Sequence, residues 1–265
     1  MDALKAKGLD QNTLVIFSSD HGPAPYAGNI LKATPDQISQ LEAQGHFPGG
    51  PHRGYKFSVY EGGLRVPLIA RWPGVVPKGE TCDALVSMSD FMATFAELTE
   101  TELNDDQAPD SISFSTLLRD PKAEGTRKNL IMESPVQFVV RDGDWKLCLC
   151  PGSGMPAASE NGAGNDPEPN VAWKKALEQF EGKPTDLDLL KAPFVQLFDL
   201  SKDLHEDHNL ATEQPEQVRK MVALLKSQIE NGRSTPGPKL KNDKNVKMVD
   251  LADKRLPVFV KKLAE

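Results

Sequence analysis

Three short stretches of this 265-residue chain gather side chains that can do chemistry. Asp20 and His21 set a carboxylate beside an imidazole, and Gly22 after them lets the backbone turn sharply. His52, Arg53 and Lys56 bring an imidazole, a guanidinium and an ammonium onto one Gly-containing stretch. Glu61 and Arg65 bracket Gly62 and Gly63. A carboxylate beside an imidazole, just past a buried strand, is half of a metal site. Each group also has a plainer reading. An Asp–His pair is often a helix cap or a hydrogen-bonded core pair. Lys56 is by default a surface lysine, and Glu61 with Arg65 is by default a turn braced by an ion pair.

The elements that must position these groups can be read from the pattern around them. Leu14-Val-Ile-Phe-Ser18 is a near-continuous apolar and β-branched run, which predicts a buried parallel strand. It ends in Asp20-His21-Gly22, where an open α/β sheet places its chemistry, past the carboxyl ends of its strands. Ala3 to Lys7 reads as a helix closed by Gly8, and Leu9 to Thr13 as a short link. Helix, link and strand form the last third of a βαβ unit, so the chain is expected to begin in mid-sheet. A helix is expected from Pro35, capped by Thr34 and stopped at Gly45. Gly49 to Gly54 is then a loop returning to the sheet mouth. Val66 to Arg71 predicts a second strand and Asp83 to Ser87 another short one. Ser89 to Leu98 predicts an amphipathic helix with Phe91, Met92, Phe95 and Leu98 in the core.

The texture changes after the acidic loop Thr99 to Asp110. Asn129–Glu133, Gln137–Arg141, Trp145–Cys150 and Phe194–Asp199 predict short strands of an antiparallel sheet, and Asp142-Gly143 marks a hairpin. Pro151 to Pro169 reads as a loop, Val171 to Phe180 as a short helix, and Pro215 to Glu230 as the clearest helix of the chain. From Arg233 onward nine Lys or Arg stand against four Asp or Glu, a net charge of +5, which predicts a solvated extension. The expected organisation is a catalytic α/β domain over residues 1–103, an α+β subdomain over 104–232 and a basic tail over 233–265.

Composition limits the function classes. With 38% hydrophobic and 26% charged residues the chain is an ordinary globular sequence, and its net charge of −7 argues against a nucleic-acid surface across it. No apolar run approaches the roughly 18–20 residues that span a bilayer, and the N-terminal residues lack the apolar core of a signal peptide. Three cysteines are too few for a disulfide framework. Cys148 and Cys150 share one face of a strand, where ordinary packing is the reading preferred over a weak metal site.

Taken together and in order, the stretches Asn12-Thr-Leu-Val-Ile-Phe-Ser-Ser-Asp-His-Gly22, Arg53-Gly-Tyr-Lys-Phe-Ser-Val-Tyr-Glu-Gly-Gly-Leu-Arg-Val-Pro67 and Arg71-Trp-Pro-Gly74 resemble the formylglycine-dependent sulfatases of the alkaline phosphatase superfamily. The likeness continues in Asp90-Phe-Met-Ala-Thr94, Gly143-Asp-Trp-Lys-Leu147 and Gln196 to Ala211, and covers about Leu4 to Glu230. It implies part of an alkaline-phosphatase-like mixed sheet flanked by helices, followed by a subdomain with a small antiparallel sheet and a packed helix. It implies sulfuric ester hydrolysis on a sulfated carbohydrate or aryl sulfate, with one Ca²⁺ as cofactor. Asp20 and His21 match metal ligands, and Lys56 matches the lysine that bridges the sulfate ester and the nucleophile. His52 and Arg53 are possible substrate-pocket residues, and Glu61 and Arg65 structural supports. Because imidazole is not a preferred calcium ligand, Zn²⁺ or Mn²⁺ stays open.

The sequence also departs from that family. Its nucleophile is a formylglycine made from a Cys-x-Pro-x-Arg motif, and none of Cys82, Cys148 or Cys150 stands in one. The paired aspartates that complete the cation site are not in this sequence either. The expectation is a C-terminal portion of a sulfatase, inactive by itself, from a periplasmic or secreted parent. Two rivals remain: a metal-dependent phosphoric ester hydrolase of the same superfamily, and a non-catalytic remnant that binds without turnover.

Overall fold

The computed structural model of the chain describes residues 1–24, 44–134, 137–154, 193–249 and 258–264. The helices expected from Pro35 and from Val171, and most of the loop after Pro151, lie outside the described residues. The chain forms two compact units that interleave along the sequence. The first comprises Met1–Ser19, Pro67–Leu130 and Ser227–Val246, and the second Asp20–Val66, Ile131–Lys226 and Lys247–Glu265. The sequence reading cut the chain in linear order, whereas compactness follows strand pairing, which returns Pro67 onward to the N-terminal strand.

In the first unit α1 (Asp2–Ala6) ends before Gly8, whose φ of +68° is a conformation glycine adopts at no steric cost. A 3₁₀ turn leads into β1 (Val15–Ser18), which pairs with β2 (Leu68–Arg71). The pairing is antiparallel, with Val15 opposite Arg71 and Phe17 opposite Ile69. This corrects the expectation of a parallel strand buried on both faces. Phe17 is 62% and Ile69 60% exposed, so one face of this two-stranded sheet is open. An apolar run shows that a strand can be buried, but it specifies neither the partner nor its direction. On the other face Leu14 and Ala70 pack with a cluster of Phe114, Leu117 and Leu118, the last two from α4 (Ser115–Arg119). Ala84 and Val86 join this cluster, but the strand expected at Asp83–Ser87 does not form.

Ser87 and Asp90 form a capping box at a 3₁₀ turn that opens α3 (Phe91–Leu98). The residues α3 buries are Thr94 and Ala96, while Met92 is 57% and Phe95 44% exposed, against the expectation that both are core. Buried polar bonds fix the rotation of this helix. Thr94 donates to the Asp90 carbonyl at 2.7 Å and accepts the Phe114 N–H at 3.0 Å. Asp90 accepts two hydrogen bonds from the buried Arg127 guanidinium and the Ile112 N–H at 2.9 Å. Leaving such groups unpaired would cost more than exposing one methionine.

The second unit is built on a four-stranded sheet in the order β3 (Asn129–Ser134), β4 (Gln137–Asp142), β5 (Trp145–Cys148), β6 (Gln196–Asp199), with β4–β5 and β5–β6 paired antiparallel. The two-residue turn between Asp142 and Trp145 closes the predicted hairpin. Val59, Tyr60, Val139, Cys148, Cys150, Phe198 and Leu200 form its core, and Leu64 of the four-residue helix α2 (Glu61–Leu64) packs on them. Helix α5 (Pro215–Asn231) buries Val218, Met221, Val222 and Leu225, the apolar stripe its sequence predicts. The basic tail is not wholly solvated: α6 (Val258–Ala264) buries Val260.

Candidate functional site

Asp20, His21, His52, Arg53 and Lys56 all fall in the second unit. The turn after β1 presents Asp20 to solvent, its side chain 83% exposed, and His21 in part. His21 Nδ1 lies 2.7 Å from the Gly22 carbonyl oxygen, which can only accept, so Nδ1 carries the hydrogen. In the neutral ring Nε2 then bears the lone pair, and it stands 3.4 Å from Asp20 Oδ2. Two ligands at right angles on a cation with bonds of about 2.4 Å are about 3.4 Å apart, so this spacing suits a shared divalent ion. Among the described residues no group of three or more His, Cys, Asp or Glu converges on such a point. The pair can supply two ligands and no complete shell.

Glycines bring the next segment against this turn. The Gly22 N–H donates to the Gly63 carbonyl at 3.0 Å. A Cβ on Gly22 would meet the Gly62 oxygen at 1.8 Å, so the sharp turn is only part of what glycine provides here. The Lys56 N–H donates to the Pro23 carbonyl at 2.9 Å, a second stitch between the two loops. Lys56 occupies a turn closed by the Ser58 N–H on the Tyr55 carbonyl at 2.9 Å. Phe57, third in that turn, has φ +76°, the left-handed conformation that glycine usually supplies. An aromatic residue held there stores backbone strain beside Lys56. The Lys56 ammonium lies 5.0 Å from the centre of the Phe57 ring.

The two other sequence candidates sit differently. His52 Nδ1 donates to the Leu204 carbonyl at 3.4 Å. Burial, with the Arg65 charge adding to it, pushes the His52 pKa below its ordinary value and keeps the ring neutral at pH 7. Arg53 is turned inward: only 6% exposed, it stacks 3.9 Å over the Tyr60 ring and donates to the Glu206 carbonyl at 2.9 Å. Arg53 therefore stands on the buried side of the loop that carries Lys56.

The sequence reading missed a buried charge cluster beneath this loop. Lys146 Nζ is fully buried, 2.9 Å from Glu61 Oε1 and 2.8 Å from Glu206 Oε1. Arg141 reaches Glu61 Oε2 at 3.4 Å, and the Glu61 N–H donates to Glu206 Oε2 at 2.6 Å. The Glu61–Arg65 pair expected from the sequence is present but long, at 3.9 Å. Burial raises the Glu206 pKa beyond what Lys146 can offset. For Glu61, burial is outweighed by the charges of Lys146 and Arg141, which hold its carboxyl below the usual range. The signal was available: a lysine inside the strand Trp145-Lys-Leu-Cys148 is buried and needs a partner. Cys148 and Cys150 are buried in the core, and burial pushes the Cys148 thiol up to about 12. Neither is a nucleophile.

The family model described as Sulfatase matches residues 1–101. An N-acetylgalactosamine-6-O-sulfatase of Bacteroides thetaiotaomicron is 34% identical over 230 residues, covering 86% of this chain and 38% of that protein. A steryl-sulfatase of Rattus norvegicus is 35% identical over 114 residues, covering 42% of this chain and 18% of that protein. A solved structure concerned with glycosaminoglycan metabolism by Bacteroides thetaiotaomicron superposes with a TM-score of 0.64 at 31% identity. It covers 86% of this chain and 41% of its own. This chain spans well under half the length of each of these relatives.

Proposed function

From the chain's membership of the sulfatase family, with its alkaline-phosphatase-like fold, we propose that its second unit contributes a cation-and-lysine half-site to hydrolysis of a sulfate ester on a carbohydrate or aryl group. One observation carries this reading. The Asp20–His21 pair and the Lys56 turn are stitched together by the Gly22 N–H on Gly63 and the Lys56 N–H on Pro23. Asp20 and His21 would hold one divalent cation; the carboxylate favours Ca²⁺, while the imidazole admits Zn²⁺ or Mn²⁺. Such a cation supplies Lewis-acid polarisation of the ester oxygens. Lys56 supplies a fixed positive charge whose attraction grows as negative charge gathers on the ester oxygens at S–O cleavage. His52, neutral at pH 7, would offer a hydrogen bond and no charge. The nucleophile in this reading comes from polypeptide outside these residues, and the parent enzyme acts in the periplasm or outside the cell.

A second reading, binding of a sulfated saccharide without turnover, has one observation in its favour: the cysteines of this chain lie outside any Cys-x-Pro-x-Arg motif and two of them are buried. A parallel assay separates the readings. With Ca²⁺ present, the chain joined to the polypeptide that supplies the nucleophile in the first reading is offered 4-nitrophenyl sulfate, a 6-O-sulfated galactosamine saccharide and 4-nitrophenyl phosphate. Turnover of sulfate esters alone, lost in Lys56→Ala, supports the first reading. Saccharide binding without release of sulfate supports the second. Hydrolysis of the phosphate ester in preference would move the chain to phosphoric ester chemistry.

A further inference from the structure

The turn carrying Glu206 touches the Lys56 loop at both of its ends. The Arg53 guanidinium donates to the Glu206 carbonyl at 2.9 Å, and the Glu61 N–H donates to the Glu206 carboxylate at 2.6 Å. Arg53 and Gly62 are themselves joined, since the Gly62 N–H donates to the Arg53 carbonyl at 2.7 Å. Residues 53–62 thus form a closed loop with Lys56 at its far end and Glu206 gripping its neck. His52, just before the neck, donates to the Leu204 carbonyl at 3.4 Å, a third contact from the same turn. Lys146, 2.8 Å from Glu206, anchors the carboxylate to β5.

The backbone of Glu206 says what the side chain is for. Its φ is +60°, a left-handed conformation that penalises any residue bearing a Cβ and that glycine adopts without strain. A turn needing only its shape would be better made by glycine. The carboxylate is what glycine lacks, and it is fully buried. We infer that Glu206 is a positioning residue for the candidate site, holding the neck of the 53–62 loop so that Lys56 stays registered against the Asp20–His21 turn. This rests on the reading of Lys56 as the sulfate-binding group for its functional meaning, but not for its test.

The test compares amide hydrogen exchange in the whole chain and its Glu206→Gly, Glu206→Gln and Met221→Ala variants. Glu206→Gly relieves the backbone and leaves Lys146 paired with Glu61, so a purely conformational role predicts unchanged or slower exchange. A clamp predicts exchange at least about tenfold faster at Glu61, Gly62, Lys56 and Gly22, with Leu149 and Leu200 in the same unit changed less than threefold. Glu206→Gln, whose amide oxygen still accepts the Glu61 N–H, should restore protection to within about threefold. Met221→Ala, a core truncation in α5, should speed all these amides alike. Glu206→Asn, which tolerates left-handed backbone but is too short to reach Glu61, replaces the glycine variant if that fails to fold. Uniform loss, no loss, or a glutamine variant as labile as the glycine one would each overturn the inference. Exchange needs no substrate, so this result and the sulfate-ester assay can fail independently.

Discussion

Lys146 is an ammonium with no exposed surface, balanced by Glu61 on one side and Glu206 on the other. Replacing it with methionine keeps the volume and leaves the buried Glu206 carboxyl without its ammonium, while Glu61 keeps Arg141 at 3.4 Å and Arg65 at 3.9 Å. We expect Lys146→Met to lose about 3–5 kcal/mol in urea unfolding, the range for breaking a buried pair by removing one partner. Lys220, whose side chain is 66% exposed, makes an ion pair of 2.6 Å with Asp142; Lys220→Met should cost less than about 1 kcal/mol. Burial, and not ion-pair distance, separates the two. The cluster also sets a pH dependence. Glu61 titrates below its ordinary 4.5 in the fold, so its contribution is present above that pH and is lost as pH falls through the folded value. Glu206, held above its ordinary value, acts in the opposite sense: its contribution is lost as pH rises through its folded pKa. In Glu206→Gln, which removes the opposing contribution, unfolding midpoints should fall as pH drops through the Glu61 window, and adding Glu61→Gln should flatten that fall. The sequence named Glu61 as a support and missed Glu206, because nothing local marks which of the acids in Asp203-Leu-His-Glu-Asp207 turns inward.

At the scale of elements, the site depends on two backbones crossing at glycine. Gly22→Ala would drive a methyl into the Gly62 oxygen, and we expect a loss of at least about 3 kcal/mol with separation of the two stitched loops. Gly143, at φ +57° in the β4–β5 turn with open space around it, should cost only about 1–2 kcal/mol as alanine. Equal losses at both positions, measured by urea unfolding, would remove the crossing from the account. The hairpin and α5 were legible because turn chemistry and helical period are local properties. The rotation of α3 was not: Phe91, Met92, Phe95 and Leu98 make the larger apolar stripe, yet Thr94, anchored by Asp90 and Phe114, faces in. The strain at Phe57 was also invisible, since an aromatic residue gives no local sign of left-handed backbone.

At the scale of the whole molecule, the first unit carries exposed apolar surface. Phe17, Leu68, Ile69, Met88, Met92 and Phe95 are 62, 40, 60, 43, 57 and 44% exposed. Exposed apolar surface on a two-stranded sheet favours association. Phe17→Ser should lower self-association in sedimentation velocity while shifting the unfolding midpoint little; unchanged association would show that this face is not the adhesive one. The mixed α/β class and the second unit's sheet were readable from period and turns. The direction of the β1–β2 pairing and the interleaving of the units were not, because both depend on contacts between distant segments. The central claim is that Asp20, His21 and Lys56 form one cation–sulfate half-site, and calorimetric titration of 4-nitrophenyl sulfate with and without Ca²⁺ tests it most directly. We predict that Ca²⁺ tightens the ester and, by linkage, that the ester tightens Ca²⁺. Asp20→Ala should abolish that coupling, and Lys56→Ala should weaken the ester at least about tenfold, a loss of about 1.4 kcal/mol. Ester binding indifferent to Ca²⁺ and to both substitutions would contradict the account.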